Sequence, residues 1–143
     1  MPFLRIYIHC VWTTKNRKPQ LETGELRFKL WTHVRENARS KGIFIDTING
    51  YKDHCHCLIS LASDQTVGKI LQLIKGESSN WINKNELCKE KFEWQHEYFA
   101  VSVSEFTIDK VREYIRNQEA HHEPNTFEYE YHRWIAQYGF QDD

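Results

Sequence analysis

Apolar and polar positions alternate from the start of the chain, and "LRIYIHCVWTT" (4–14), β-branched and aromatic without a breaker, predicts a first strand. The period then changes. In "LETGELRFKLWTHVRENARSKG" (21–42) Leu26, Leu30, Trp31 and Val34 recur at helical spacing, and Gly42 marks the stop. "IFIDTINGY" (43–51) and "HCHCLISL" (54–61) return to strand character across a very short link, which predicts a hairpin. "QTVGKILQLIKGESSNWIN" (65–83) is helical through Val67, Ile70, Leu71 and Ile74, although Gly68 and Gly76 weaken the pattern. "KNELCKEKFEWQHE" (84–97) is polar and ambiguous, and "YFAVSVSEF" (98–106) predicts a fourth strand. "TIDKVREYIRNQEAHH" (107–122) predicts a helix beginning near Thr107 or Asp109, with Val111, Ile115 and Ala120 on its apolar side and Pro124 closing it. A last amphipathic segment, "TFEYEYHRWIAQYG", ends near Gly139.

The order strand, helix, strand, strand, helix, strand, followed by two helices, predicts an α+β chain. Its pattern is the ferredoxin-like βαββαβ split, an antiparallel sheet with helices on one face and additional C-terminal helices. The 143 residues show no repeat or low-complexity linker, so one domain over 1–143 is expected. The uncovered face of the middle strands is free for a site. This fold hosts many functions, so function must come from particular residues.

Composition narrows the choice. A formal net charge of −1 argues against a surface coated for indiscriminate nucleic-acid binding. The charge is uneven, however: residues 1–42 hold nine Lys or Arg against three Asp or Glu, and the remainder holds ten against seventeen. "TTKNRKP" (13–19) is the densest basic cluster, with Lys15, Arg17 and Lys18. Aromatic residues make up 14% of the chain, enough for an aromatic core and for stacking on bases. Four cysteines (Cys10, Cys55, Cys57, Cys88) without a secretory leader suggest reduced thiols, and no stretch approaches the ~20 apolar residues that span a bilayer. The expectation is a soluble cytoplasmic protein with no membrane partner.

Candidate chemistry begins at "GYKDHCHCLIS" (50–60). On a strand His54 and His56 share one face, their Cα atoms roughly 6–7 Å apart, so both imidazoles can reach one cation. Cys55 and Cys57 then face the other way, which weakens a four-ligand zinc reading. On the helix "VREYIRNQEAHH", Tyr114 and Gln118 are four apart and share a face. Two imidazoles and an amide oxygen leave a divalent ion with open positions for a phosphodiester, whose phosphorus a phenol can attack. The mixed donor set does not name the metal: Mg²⁺ prefers oxygen, Mn²⁺ accepts imidazole readily, and Zn²⁺ suits the histidines. Lys15, Arg17, Lys18, Lys69 and Lys75 are the first candidates for phosphate contacts. Gly76, Ser78 and Ser79 in "KGESSNW" (75–81) fit either a close approach of DNA backbone or a plain polar helix face. His121 and His122, three and four residues beyond Gln118, are read first as interacting with a helix C-terminal dipole and second as lying near a metal, and His9 and His96 receive no role.

The ordered series "YIHCVWTTKNRKP", "HCHCLISL", "KILQLIKGESSNWI", "WQHEYFAVSVSE" and "VREYIRNQEAHH" resembles the single-tyrosine HUH transposases of the insertion sequence 200/605 type and the REP-associated tyrosine transposases. The resemblance spans nearly the whole chain. It implies a ferredoxin-like, usually dimeric domain that cuts and rejoins single-stranded DNA near small hairpins, leaving a 5′-phosphotyrosine and a free 3′-hydroxyl. By that resemblance His54 and His56 are metal ligands, Tyr114 is the nucleophile and Gln118 completes the site of a divalent ion, Mg²⁺ or Mn²⁺. In a homodimer the tyrosine helix can also serve the partner subunit's histidines. Two other classes compete: a domesticated relative that binds hairpin DNA or RNA without strand transfer, and a metal-dependent phosphodiesterase that uses water.

Overall fold

A computed structural model describes residues 3–118 and Arg133. Its elements are β1 (Tyr7–Thr13), α1 (Gly24–Ser40), β2 (Phe44–Tyr51), β3 (His54–Ser60), α2 (Val67–Lys84), β4 (Phe99–Val103) and α3 (Ile108–Arg116). The sheet order is β2-β3-β1-β4, with every neighbouring pair antiparallel, and this is the expected ferredoxin-like arrangement. The strands and α1 lie within the stretches where periodicity placed them, α2 runs to Lys84, one residue past its expected end, and α3 begins at Ile108 inside its expected range. Ala120, His121, His122, Pro124 and the amphipathic segment 126–139 lie outside the described residues.

Local chemistry explains the helix boundaries. Thr23 caps α1 by accepting the Leu26 amide at 3.1 Å, and Gly42 takes φ 75°, the left-handed conformation a side chain disfavours, just past the helix end. Thr66 caps α2, which runs unbroken through Gly68 and Gly76 because Ile70, Leu71, Ile74 and Ile82 are buried along one stripe. The ambiguous segment 84–97 forms no long element; its Phe92 is fully buried. Asn83 fixes it by exchanging two hydrogen bonds with the Phe92 backbone, at 2.8 and 2.9 Å.

The two faces of the sheet divide the labour. Ile8, Cys10 and Trp12 of β1, Cys55, Cys57 and Ile59 of β3, and Ile45 and Ile48 of β2 turn toward α1 and α2 and form the main core. The opposite face carries His9, His54, His56 and Leu58, and α3 packs there through Ile108 and Ile115. The C-terminal helix is therefore on the far side of the sheet from α1 and α2. Among the described residues no helix is long and apolar enough to cross a membrane.

Gly50 sets how closely the hairpin and α1 approach. A Cβ there would lie 2.2 Å from the His54 carbonyl oxygen and 2.8 Å from Cζ2 of Trp31. The first of these neighbours is backbone and cannot rotate away. Gly50→Ala is expected to cost about 3 kcal/mol, the upper part of the range for overpacking, read as a lowered midpoint of thermal or denaturant unfolding. A midpoint within error of wild type would show that β2 and β3 tolerate a wider separation.

Candidate active site

β3 presents His54 and His56 on the face turned away from the main core, as period-two alternation requires. Cys55 and Cys57 are buried behind them, and Cys57 pairs across the ladder with Cys10. Burial pushes the Cys10 thiol up to about 12 and those of Cys55 and Cys57 well above the ordinary range. These thiols remain protonated packing groups, as the strand geometry predicts.

α3 brings Tyr114 to the same place, and Gln118, just past its C-cap Asn117, joins it there. The Tyr114 ring stands edge-on to His56 with centroids 5.6 Å apart, and Gln118 Oε1 is 3.0 Å from His54 Nε2. Gln118 is fully buried, and its amide nitrogen donates to the Tyr114 carbonyl at 3.2 Å, which orients its oxygen toward the imidazole. One chain thus assembles His54, His56, Tyr114 and Gln118.

Two further residues support the histidines. Asp53, in the hairpin turn, accepts from His54 Nδ1 at 2.8 Å, and His9 Nε2 lies 3.0 Å from His56 Nδ1. Burial lowers His9 to about 3, so its imidazole is neutral near pH 7. Both were absent from the sequence-based site. Asp53 had a local signal, since it directly precedes His54; His9 could be placed only by the strand register.

The donor set fits a divalent cation. With the His54 Nδ1 against Asp53, its Nε2 faces the Gln118 oxygen at 3.0 Å, a place where an imidazole nitrogen and an amide oxygen could both turn toward one cation. Among the described residues no group of three or more His, Cys, Asp or Glu is arranged to hold a metal, so a cation placed at the histidines would need the Gln118 amide oxygen as a further ligand.

α3 is held over the sheet by charge as well as packing. A bulge in β2 between Ile45 and Thr47 turns the Asp46 carboxylate toward Arg112, which meets it with two bonds, Nε to Oδ1 at 2.9 Å and a terminal nitrogen to Oδ2 at 2.8 Å. From the opposite face Arg35 of α1 donates to the Ile45 carbonyl at 2.8 Å. Asn49 adds a bond to the Arg116 carbonyl at 3.0 Å. The Arg112 guanidinium holds the Asp46 carboxyl below its ordinary value, and the Asp46 and Asp109 carboxylates raise Arg112.

The predicted phosphate contacts are dispersed. Lys15 pairs with Glu93 at 3.0 Å and Lys18 with Glu90 at 3.9 Å, both exposed. Arg17 lies in a short 3₁₀ turn (Lys15–Arg17) with φ 52°, and Lys69 is exposed in the first turn of α2. The Lys75 ammonium donates to the Gln95 and His96 carbonyls at 2.7 and 2.8 Å, so it braces the loop before β4, and burial lowers its pKa. Lys15 and Lys75 border one cavity of about 700 Å³, beside Gly76, Ser79 and Tyr98. Ser78 is instead buried, accepting from Trp94 Nε1 at 2.9 Å and donating to the Ile74 carbonyl.

A histidine pair on a central strand, met by a tyrosine on α3 and a glutamine just past it, is the arrangement that the resemblance to single-tyrosine transposases implies. Residues 3–118 match the family described as "Transposase IS200 like", and the chain belongs to that family. The curated ISDra2 transposase TnpA of Deinococcus radiodurans is 29% identical over 116 residues, covering 77% of this chain and 81% of that protein. Two solved structures share the fold. A Deinococcus radiodurans R1 protein described as a transposase has a TM-score of 0.66 at 23% identity, over 82% of this chain and 93% of its own. A REP-associated tyrosine transposase bound to a REP hairpin has a TM-score of 0.62 at 17% identity, over 85% and 72%.

The Asp46–Arg112 pair generates a prediction about α3. Because the folded carboxyl titrates below its ordinary 3.8, its stabilisation is fully present above that pH and is lost as pH falls through the lower folded value. Asp46→Asn should speed amide hydrogen exchange in α3 several-fold at neutral pH and leave α1 unchanged. Equal protection of α3 in variant and wild type would assign its docking to Ile108 and Ile115 alone.

Proposed function

We propose that this transposase cleaves and rejoins single-stranded DNA through a covalent 5′-phosphotyrosine at Tyr114. The convergence of Tyr114 and Gln118 on His54 and His56 carries the reading. The Tyr114 oxygen attacks phosphorus; the new O–P bond forms as the bond to the 3′-oxygen breaks, and that oxygen leaves and takes up a proton. Rejoining is the reverse, with a 3′-hydroxyl attacking the phosphotyrosine and releasing the phenol. The ester keeps the energy of the broken bond, so no nucleotide cofactor is needed.

His54, His56 and Gln118 would hold a divalent cation, Mg²⁺ or Mn²⁺. When bound, it supplies a positive charge against the phosphate oxygens and lowers the cost of deprotonating a phenol whose ordinary pKa is about 10. Asp53 and His9 orient the imidazoles, Gln118 ties the site to the helix that carries the nucleophile, and α3 holds the phenol against His56. The hairpin bound by the REP-associated relative supports hairpin-bearing DNA as the substrate class. Lys15, Arg17, Lys18 and Lys69 are proposed to contact its phosphates, with Lys75 in the same region through the loop it braces.

Dimerisation is part of the proposal, but exchange of α3 between subunits is not needed to complete the site, since one chain brings all four residues together.

The test is adduct formation with single-stranded DNA from the gene's flanks in Mg²⁺ or Mn²⁺, resolved on a denaturing gel. Tyr114→Phe and His56→Ala should each reduce the adduct to background, as should chelation of the metal. DNA retention on a native gel without any adduct would instead point to a hairpin-binding protein, and cleavage surviving in Tyr114→Phe to a water-using phosphodiesterase. A mixture of the Tyr114→Phe and His56→Ala proteins should also stay inactive; recovered adduct would mean that the tyrosine serves the partner's histidines.

A further inference from the structure

His9 sits in the middle of an apolar strand, fully buried on the face that carries His54 and His56. The register explains how it reaches the site. Val11 lies opposite His56 and His9 opposite Leu58, so His9 is the diagonal neighbour of His56 on one face, a spacing that rings can bridge. Its Nε2 is 3.0 Å from His56 Nδ1, and the ring centroids are 5.2 Å apart. On its other side the ladder places Val101, where an aliphatic side chain would pack without desolvating an imidazole.

We propose that His9 is a positioning residue: it accepts the Nδ1–H of His56 and so holds that imidazole in the tautomer and orientation in which Nε2 is the ligating nitrogen. This rests on the reading of His56 as a metal ligand. A neutral imidazole has one N–H and one bare nitrogen, and the partner of one decides which the other becomes. Without His9, His56 divides its proton between both nitrogens and part of the population turns an N–H toward the ligand position. The two ligand histidines are thus held by unlike partners. Asp53 gives His54 an anionic acceptor, whereas His9 gives His56 a neutral one and adds no negative charge where a phosphate must approach.

The experiment reads tautomer and metal affinity without DNA. Long-range ¹H–¹⁵N correlation on the metal-free wild type should show His56 protonated at Nδ1; protonation at Nε2 would overturn the proposal. By titration calorimetry His9→Leu should bind Mn²⁺ about 10- to 100-fold more weakly, while His9→Gln, whose amide oxygen can accept at a similar place, should stay close to wild type. Wild-type affinity in His9→Leu, or an equal loss in His9→Gln, would reduce His9 to packing. Should both variants unfold by circular dichroism, the wild-type tautomer decides. His56→Ala separates the two layers: unchanged Mn²⁺ affinity there removes the ligand reading and this proposal with it, whereas weakened binding there beside normal binding in His9→Leu removes only the role of His9.

Discussion

Period-two alternation along β1 and β3 is the constraint on which the rest of the molecule depends. Each of these central strands must supply an apolar face to the main core and a polar, chemically equipped face to the other side. In β3 the sequence His-Cys-His-Cys satisfies both demands residue by residue. The cysteines are small enough to lie against Cys10 and beneath the helices, and their protonated thiols require no partner of opposite charge. A one-residue slip would send the histidines into the core and the cysteines to the site, so fold and chemistry share one register.

That register leaves the site incomplete until α3 arrives, because the sheet face supplies imidazoles but neither the phenol nor the amide. α3 is a nine-residue helix, too short to be stable alone, and its place must come from what it touches. Ile108 and Ile115 give it an apolar footing on Leu58, and the bulge in β2 gives it a direction by turning Asp46 toward Arg112. The bulge is held from beneath by Arg35 of α1, so the helices on one face help to position the helix on the other. Apolar contact alone would let α3 slide along the sheet. The two-toothed ion pair fixes its rotation, and with it the approach of Tyr114 to His56.

The parts of this structure legible in the sequence were those whose signal is local. Helices α1 and α2 announce themselves by repeating apolar positions, and the hairpin by two strand-like runs with almost nothing between them. His54 and His56 could be assigned one face from spacing alone. His9 could not, because its meeting with His56 depends on a diagonal across two strands joined by some forty residues, and single-sequence patterns do not set that register. Asp46 was hidden for the same reason, since a bulge is a property of pairing. Phe92 and Trp94 looked like part of a polar loop, and only Asn83 and Ser78 on α2 show how the core absorbs them.

A DNA transposase with a net charge of −1 must reconcile its acidity with a polyanionic partner. Lys15 and Lys18 are paired with Glu93 and Glu90, which on a static view removes them from service. Exposed pairs of this kind are screened by solvent and hold their partners weakly, so an approaching phosphate would take either lysine from its glutamate at little cost. The difference lies with Lys75, whose two carbonyl bonds would have to break and release the loop before β4. On the proposed function, surface glutamates beside surface lysines would weaken attraction to arbitrary DNA without blocking a site-specific contact, and would leave discrimination to the shape of the nucleic acid.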